Sequence, residues 1–420
     1  MVKRLFPVLL LLAAAPFLSA ENNITIDMTL YNTVMQSREV NPGTEGYHDA
    51  GGTWVPPVLP SVGDKYWAYG MAGTGALSFK STGNANVRAD FALDFSYPDI
   101  SGIPVITLQK AYVKAKFPSF RLTVGKTRLG WGDGFVFNSG DVVFGSISPN
   151  VNLVGSEVRT ETAWMTSVNI PLGRFSFIEL LLRAPEMIFS GTTPVGLGNV
   201  LDLGAGGRVY TKLGDLKVEL GYYFDGTDTI DYDIIVTDGD ESLTIPAFQR
   251  PYFSIQGNLG ADFYLNCSLA IPFAAGDDLA DIIKDTWNIS FGLFHMVEVG
   301  YGNSLTFRVE SVFLPFLDWR EDAGSAGTYA LMLYPEIAFA YGQNLNFSLR
   351  SVFSPIDLSA MLTAGFSWNV FEGFNLLGYT NFFIGDGDDT FSWNKDNDVW
   401  ELGVDMVDGV SVMVGVQYIY

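Results

Sequence analysis

Residues 87–97 read Val-Arg-Ala-Asp-Phe-Ala-Leu-Asp-Phe-Ser-Tyr. Val87, Ala89, Phe91, Leu93, Phe95 and Tyr97 share one parity, while Arg88, Asp90, Ala92, Asp94 and Ser96 share the other. Successive side chains of a strand point to opposite faces, so this period of two marks a strand with one apolar and one polar face. The alternation returns in Leu216, Val218, Leu220, Tyr222 and Phe224, and again in Leu345, Phe347, Leu349 and Phe353, with further copies over Leu358–Trp368 and Val410–Tyr420. These runs of about ten to twelve residues exceed the ~5–6 usual in globular strands and match a tilted crossing of a bilayer.

Two kinds of connection join the runs. Short ones with hairpin chemistry fall at Ser81-Thr82-Gly83, Pro118-Ser119, Leu172-Gly173, Gly214-Asp215, Gly260-Ala261, Gly300-Tyr301-Gly302, Gly342-Gln343, Phe371-Glu372-Gly373 and Asp408-Gly409. Between them lie longer polar stretches, including 130–158, 185–199, 225–246 and 386–397. Short turns at one end and long loops at the other predict a transmembrane antiparallel β-barrel, because only a closed sheet satisfies every backbone group in lipid. A soluble sandwich would use shorter strands and hide its apolar face inside. Nine hairpins imply about 18 strands, within a range of 16–20. The count does not close cleanly: Ile24–Met35 reads as an extra first strand, and Asp408-Gly409 is short where a long outer loop is due. Residues 21–64 are expected to form an N-terminal strand and loop or a short plug, and 65–420 the barrel.

Composition agrees with this reading. The 420 residues carry 24 Lys+Arg against 46 Asp+Glu, a net charge of −22, with 48% hydrophobic and 17% charged residues. Such an acidic balance disfavours nucleic acid as a partner, and 32 Phe, 19 Tyr and 9 Trp exclude a disordered acidic chain. The single cysteine, Cys267, excludes an intramolecular disulfide or a Cys-cluster metal site. Its parity with Phe263, Leu265 and Leu269 points it to lipid. Lys3 and Arg4, the apolar run Leu5–Ala15 and the small pair Ser19-Ala20 read as a secretory signal cleaved after Ala20, although Leu18 departs from the small-residue rule. Beyond it no run of ~18 apolar residues occurs, so spanning by helices is excluded.

Little enzymatic chemistry is legible. Of the two histidines, His48 lies in a Gly/Pro-rich stretch, and His295 shares the lipid-facing parity of Ile289, Phe291, Leu293 and Val297. No catalytic residue, cofactor or metal is therefore expected. The acidic stretches around Asp225–Glu241 and Asp386–Asp398 lack the spacing of a calcium loop and read as solvated. The polar parity is more informative: Arg88, Asp90, Asp94, Lys110, Lys114, Lys116 and Arg121 fall inward on three consecutive strands, as do Arg308, Glu310, Arg350, Glu401 and Asp405 elsewhere. Such charges either pair to hydrate a wall or set a field that filters solutes.

The segment Val124-Gly125-Lys126-Thr127-Arg128-Leu129-Gly130-Trp131-Gly132-Asp133-Gly134-Phe135-Val136-Phe137-Asn138 resembles the corresponding part of porin-like outer-membrane barrels, including alginate-export-type and capsule-assembly-type families. The resemblance implies a loop that constricts the pore or touches its ligand, with Trp131, Asp133, Phe135, Phe137, Asn138 and Asp141 as its candidate residues. Its glycines permit the close approach such a loop needs. The last run, Val412, Val414, Val416, Tyr418 and Tyr420, resembles the C-terminal signal of bacterial outer-membrane proteins, with Tyr in place of the commoner final Phe. That implies the barrel assembly machinery as a partner, lipopolysaccharide-bearing membrane as surroundings and the outer membrane of a diderm bacterium as location. A homo-oligomer is compatible with this. The function expected is passive diffusion of small hydrophilic solutes through a porin-like channel, the alternative being a surface barrel for adhesion or for polysaccharide attachment or export.

Overall fold

The computed structural model describes residues 21–41, 47–48, 54–55, 61–98, 105–148, 151–155, 158–185, 189–190, 193–194, 203–232, 243–272, 286–300, 302–315, 331–385, 389–391 and 406–420. The strands of the main sheet are β1 (Glu21–Asn41), β2 (Ser61–Asn84), β3 (Val87–Pro98), β4 (Val105–Lys116), β5 (Arg121–Thr127), β6 (Ala163–Pro171), β7 (Ser176–Arg183), β8 (Gly204–Leu213) and β9 (Leu216–Tyr232). The sheet continues through β10 (Leu243–Asn258), β11 (Asp262–Ser268, prolonged by Ile271–Pro272), β12 (Asn288–Glu298), β13 (Ser304–Phe313), β14 (Leu331–Tyr341), β15 (Leu345–Ser354), β16 (Ser359–Phe371), β17 (Phe374–Ile384) and β18 (Met406–Ile419).

Each strand pairs antiparallel with its neighbours in sequence, and β1 pairs with both β2 and β18, which closes an 18-stranded barrel without free edges. The closure reaches the chain end: Ile26 and Tyr420 exchange both backbone bonds, each at 2.9 Å. Parity then sorts the side chains. Leu30, Met71, Val124, Leu220, Val309 and Val414 stand exposed on the outer face. A continuous apolar exterior of this size needs hydrocarbon around it.

The strand number agrees with the expectation through two compensating differences. Asp408-Gly409 is no turn. It is a bulge inside β18, where Met35 pairs with Ser411 but Ser37 pairs with Val407, and Gly409 takes the left-handed conformation (φ 80°) that the extra residues require. Ile24–Met35 is a full barrel strand, β1, so one hairpin is lost and one strand gained. The first short turn lies at Ala85-Asn86, a few residues beyond Ser81-Thr82-Gly83, because β2 keeps pairing with β3 to Asn84↔Val87. The expected leader, residues 1–20, lies outside the described residues.

Among the described residues, one connection reaches furthest into the interior. The described part of the chain between β5 and β6, residues 128–148, 151–155 and 158–162, enters the barrel and supplies much of its buried interior: Trp131, Val136, Phe137, Val142, Val143 and Leu153 are buried against inward side chains of the wall. The wall makes room in a regular way. Tyr252 of β10 leans over Gly221 of β9, and Tyr264 of β11 leans over Gly292 of β12; a Cβ on either glycine would lie 2.1 Å from the ring. Each ring is thus laid along the wall, where it forms a floor for the loop.

Cys267 stands on the outer parity of β11, where its sulfur accepts a bond of 2.8 Å from Trp287 Nε1. A membrane-impermeant maleimide should leave this thiol unmodified in the lipid-embedded barrel and modify it after denaturation. Rapid labelling of the folded barrel in vesicles would contradict the register of β11.

Candidate luminal site

The centre of the interior is Glu310 on β13. Its carboxylate accepts the backbone N–H groups of Phe135 (2.9 Å), Val136 (2.8 Å) and Phe137 (3.0 Å) while its side chain is only 3% exposed. Three consecutive amides can converge on one carboxylate because the glycines at 132 and 134 adopt left-handed conformations (φ 66° and 150°) and curl the loop. A Cβ at Gly134 would lie 2.3 Å from the carbonyl oxygen of Phe137, so the curl admits no side chain there. On either side the loop is fastened again. Tyr264 donates its hydroxyl to the Phe137 carbonyl (2.9 Å), Asn266 donates to the Asp133 carbonyl (2.6 Å), and the Ser139 N–H reaches Ser290 Oγ (2.9 Å).

Two ion networks frame this anchor. Toward β7, Arg208 of β8 bridges Glu179 (2.9 Å) and Glu219 (3.0 Å), and both carboxylates also receive loop donors, Trp131 Nε1 at 3.3 Å and Gly132 N–H at 3.2 Å. Trp131 is stacked on Tyr252 with ring centroids 5.7 Å apart. Toward β15, Glu336 holds Arg350 at 2.9 Å and Arg308 at 3.5 Å, and Arg350 donates onward to the carbonyls of Leu153 (2.7 Å) and Gly155 (2.8 Å). Arg308 lies over the Phe135 ring, 4.1 Å from its centroid. Within the loop, Arg128 holds both Asp141 and Glu161, each at 2.5 Å. Burial pushes the Asp141 carboxyl up, against the pull of Arg128 and the Ser146 hydroxyl.

The candidate residues therefore separate into four sets. Glu310, Arg308 and Arg350 line the interior as their parity predicts, but they are spent on gripping the inserted loop. Trp131, Phe137, Asn138 and Asp141 belong to the inserted loop, yet they are buried in its contact with the wall; Asp133 and Phe135 border a cavity of about 760 Å3 that runs toward the short-turn end. Arg88, Asp90, Asp94, Lys110, Lys114, Lys116 and Arg121 lie on β3 to β5. There the register pairs Lys116 with Arg121 and Arg88 with Lys114, and sets Asp90 beside Tyr112, which donates to it at 3.1 Å. A bulge between Ala92 and Leu93 leaves Lys110 across from Ala92 and Asp94 across from Thr107. Glu401 and Asp405 lie outside the described residues. Glu179, Arg208, Glu219, Asn266, Ser290 and Glu336 escaped the sequence reading; their inward parity was the available signal, and only the pairing register shows that they meet the loop.

A second loop touches the first. Phe391, which follows β17, is buried with Val136, Phe137, Tyr334 and Val352. Its neighbour Thr390 donates its hydroxyl (2.5 Å) and its N–H (2.8 Å) to Asp357, in the connection between β15 and β16. Burial would raise the Asp357 carboxyl, but these bonds and those from Ser359 outweigh it and hold the group below its ordinary value.

No family model and no curated protein sequence matches the chain. Among solved structures, OpdL of Pseudomonas aeruginosa is similar at 9% identity and a TM-score of 0.49, over 95% of this chain and 99% of that one. OccAB4 of Acinetobacter baumannii follows at 12% and 0.47, over 95% and 98% of the two chains. An anion-selective porin from Comamonas acidovorans stands at 13% and 0.43, over 95% and 100%. All three are more distant than a functional inference requires, so function has to be argued from the interior itself.

Two outcomes follow from these contacts. Glu310→Ala should cost about 3 kcal/mol of loop attachment, since it removes charge-assisted bonds from buried donors, and should open Arg128 and Arg159 to trypsin in the folded barrel. Resistance equal to that of the unaltered protein would show that the loop is held without Glu310. Because the folded-state value of Asp357 is depressed, its contribution is complete above the unfolded value of about 4 and is lost as pH falls through the folded one. Hydrogen exchange at the Thr390 amide, corrected for its intrinsic pH dependence, should accelerate across that window.

Proposed function

We propose that the chain forms a channel of porin type in the outer membrane of a diderm bacterium, through which small hydrophilic solutes diffuse down their gradients. The observation that carries this reading is the one-sided placement of the inserted loop. An 18-stranded barrel is wide enough for an aqueous lumen, and residues 128–162 are fastened to β7–β15 by Glu179, Glu219, Asn266, Glu310 and Arg350. Among the described residues, the wall of β1–β4 and β16–β18 adds only a neutral contact at Gln109 of β4, which bonds Thr160 and Thr162, and the packing of Met361 of β16 on the loop's apolar cluster. A loop bound to one wall narrows a pore; a plug would have to bind all of it.

The charges bordering the passage give it a direction. On the anchored side, the carboxylates of Glu179, Glu219, Glu310 and Glu336 are all engaged with arginines or loop amides, as described above. On the other side, Arg88, Lys110, Lys114, Lys116 and Arg121 stand on β3–β5 with Asp90 and Asp94 among them, Arg88 across from Lys114 and Lys116 across from Arg121. Within a Debye length of roughly 8 Å these wall charges count for more than distant loops, so the passage leans toward anions although the chain is acidic. The apolar exterior fits lipid and lipopolysaccharide, the leader fits export, and the exposed aromatic pair Tyr418 and Tyr420 fits recognition by the barrel assembly machinery.

Reconstitution of the folded protein in planar bilayers should give stepwise conductance, and its absence would refute the channel reading. Replacing Lys110, Lys114 and Lys116 together with Glu should move the reversal potential in a salt gradient toward cation preference. An unchanged potential would remove these lysines from the conducting path.

A further inference from the structure

Between the 152–155 arm of the inserted loop and the wall of β15–β18, β1 and β2 lies a second cavity, of about 460 Å3. It differs in chemistry from the basic wall beside it. Among the described residues, Arg350 is the one ionic side chain on its lining, and that guanidinium is already occupied by Glu336 and by the carbonyls of Leu153 and Gly155. What remains is neutral and polar: Thr29, Thr74, Ser348 and Ser367 line it, and among the described residues none satisfies their hydroxyls. Apolar surface lies between them. Tyr379 leans over Gly365 of the neighbouring strand, where an added Cβ would sit 2.5 Å from the ring, so the ring is laid along the wall.

We propose that this cavity is a binding subsite for uncharged polyhydroxylated solutes, sugars of one or two rings, on their way through the channel. A sugar offers hydroxyls that both donate and accept around its rim, and C–H faces that rest on an aromatic ring. The lining supplies both complements. A charged solute would give up hydration here without meeting a free counter-charge, and an apolar one would leave four hydroxyls without partners. The size falls within the range of sites that enclose small ligands. This inference rests on the channel reading, since the cavity is part of the lumen.

The test is a titration of maltose into the detergent-folded barrel by calorimetry, alongside bilayer recordings with maltose on one side. Saturable binding and concentration-dependent interruptions of the current are expected, whereas a polyethylene glycol of the same hydrodynamic radius should only scale the conductance. Tyr379→Ala should weaken maltose binding about tenfold. The milder pair Thr74→Val and Ser367→Ala, which keeps the wall packed, should weaken it by a similar factor. Absence of saturable binding, equal binding of gluconate, or binding indifferent to both sets of substitutions would overturn the proposal. Conductance without maltose binding would leave the channel reading standing and remove the subsite. Binding without conductance would remove the channel reading and, with it, the assignment of this cavity as a stop on a solute path.

Discussion

The interior of this barrel depends on one carboxylate. Glu310 is placed by the pleat of β13 in the middle of the lumen, and a charge so little exposed is strongly unfavourable without compensation. The loop that enters the barrel brings the complementary difficulty: an irregular segment surrounded by side chains has backbone donors with no neighbouring strand to accept them. Three consecutive amides on one carboxylate resolve both at once. Neither partner is stable where it is without the other, and so the position of the loop is set by the wall rather than by the loop's own preferences.

The rest of the contact follows from that anchor. With residues 135–137 fixed, the arms on either side meet wall groups at a separation dictated by strand spacing: Glu219 and Glu179 for Gly132 and Trp131, Arg350 for Leu153 and Gly155. The arginines among these groups each join two acids, or an acid and a carbonyl, so the buried ions carry little net field. Tyr252 and Tyr264 are held flat because the strand beside each offers glycine at the paired position. Larger residues at Gly221 or Gly292 would lift the rings toward the axis and leave the loop no floor.

Much of the architecture was legible because a barrel in lipid obeys a period of two that a single strand such as Val87–Tyr97 already displays. Glycine-rich turns mark where that period resets, although a glycine in a bulge carries the same signature, which is why Gly409 reads as a turn and folds as part of β18. The site was legible by halves. The glycines at 132 and 134 announce a tight curl, and Glu310 has inward parity, yet nothing along the chain says that the two meet, since the contact joins positions more than 170 residues apart. Glu179, Arg208 and Glu219 were missed for the same reason: single charges of opposite sign on consecutive strands become a network only once register sets them side by side. Trp131 and Phe137 look like pore-lining aromatics in sequence. They are buried because a large ring inside a water-filled barrel gains more from covering Tyr252 or Val136 than from facing the solute path.

Net charge is a poor guide to the charges left unengaged inside such a barrel. The chain carries a formal charge of −22, yet the acids described at the centre of the lumen are consumed by the attachment of the loop: two by Arg208, one by three amides, one shared between Arg308 and Arg350. Attachment is thus itself the source of the asymmetry. Every carboxylate that helps to hold the loop against β7–β15 is engaged by that contact, while the loop meets the β3–β5 wall through neutral groups, Thr160 and Thr162 on Gln109 of β4, and not through the cations there. A loop anchored through basic wall groups would have left the opposite imbalance. Which wall charges remain unengaged is therefore a consequence of the side the inserted segment grips, and that side is set by the place of Glu310 on β13.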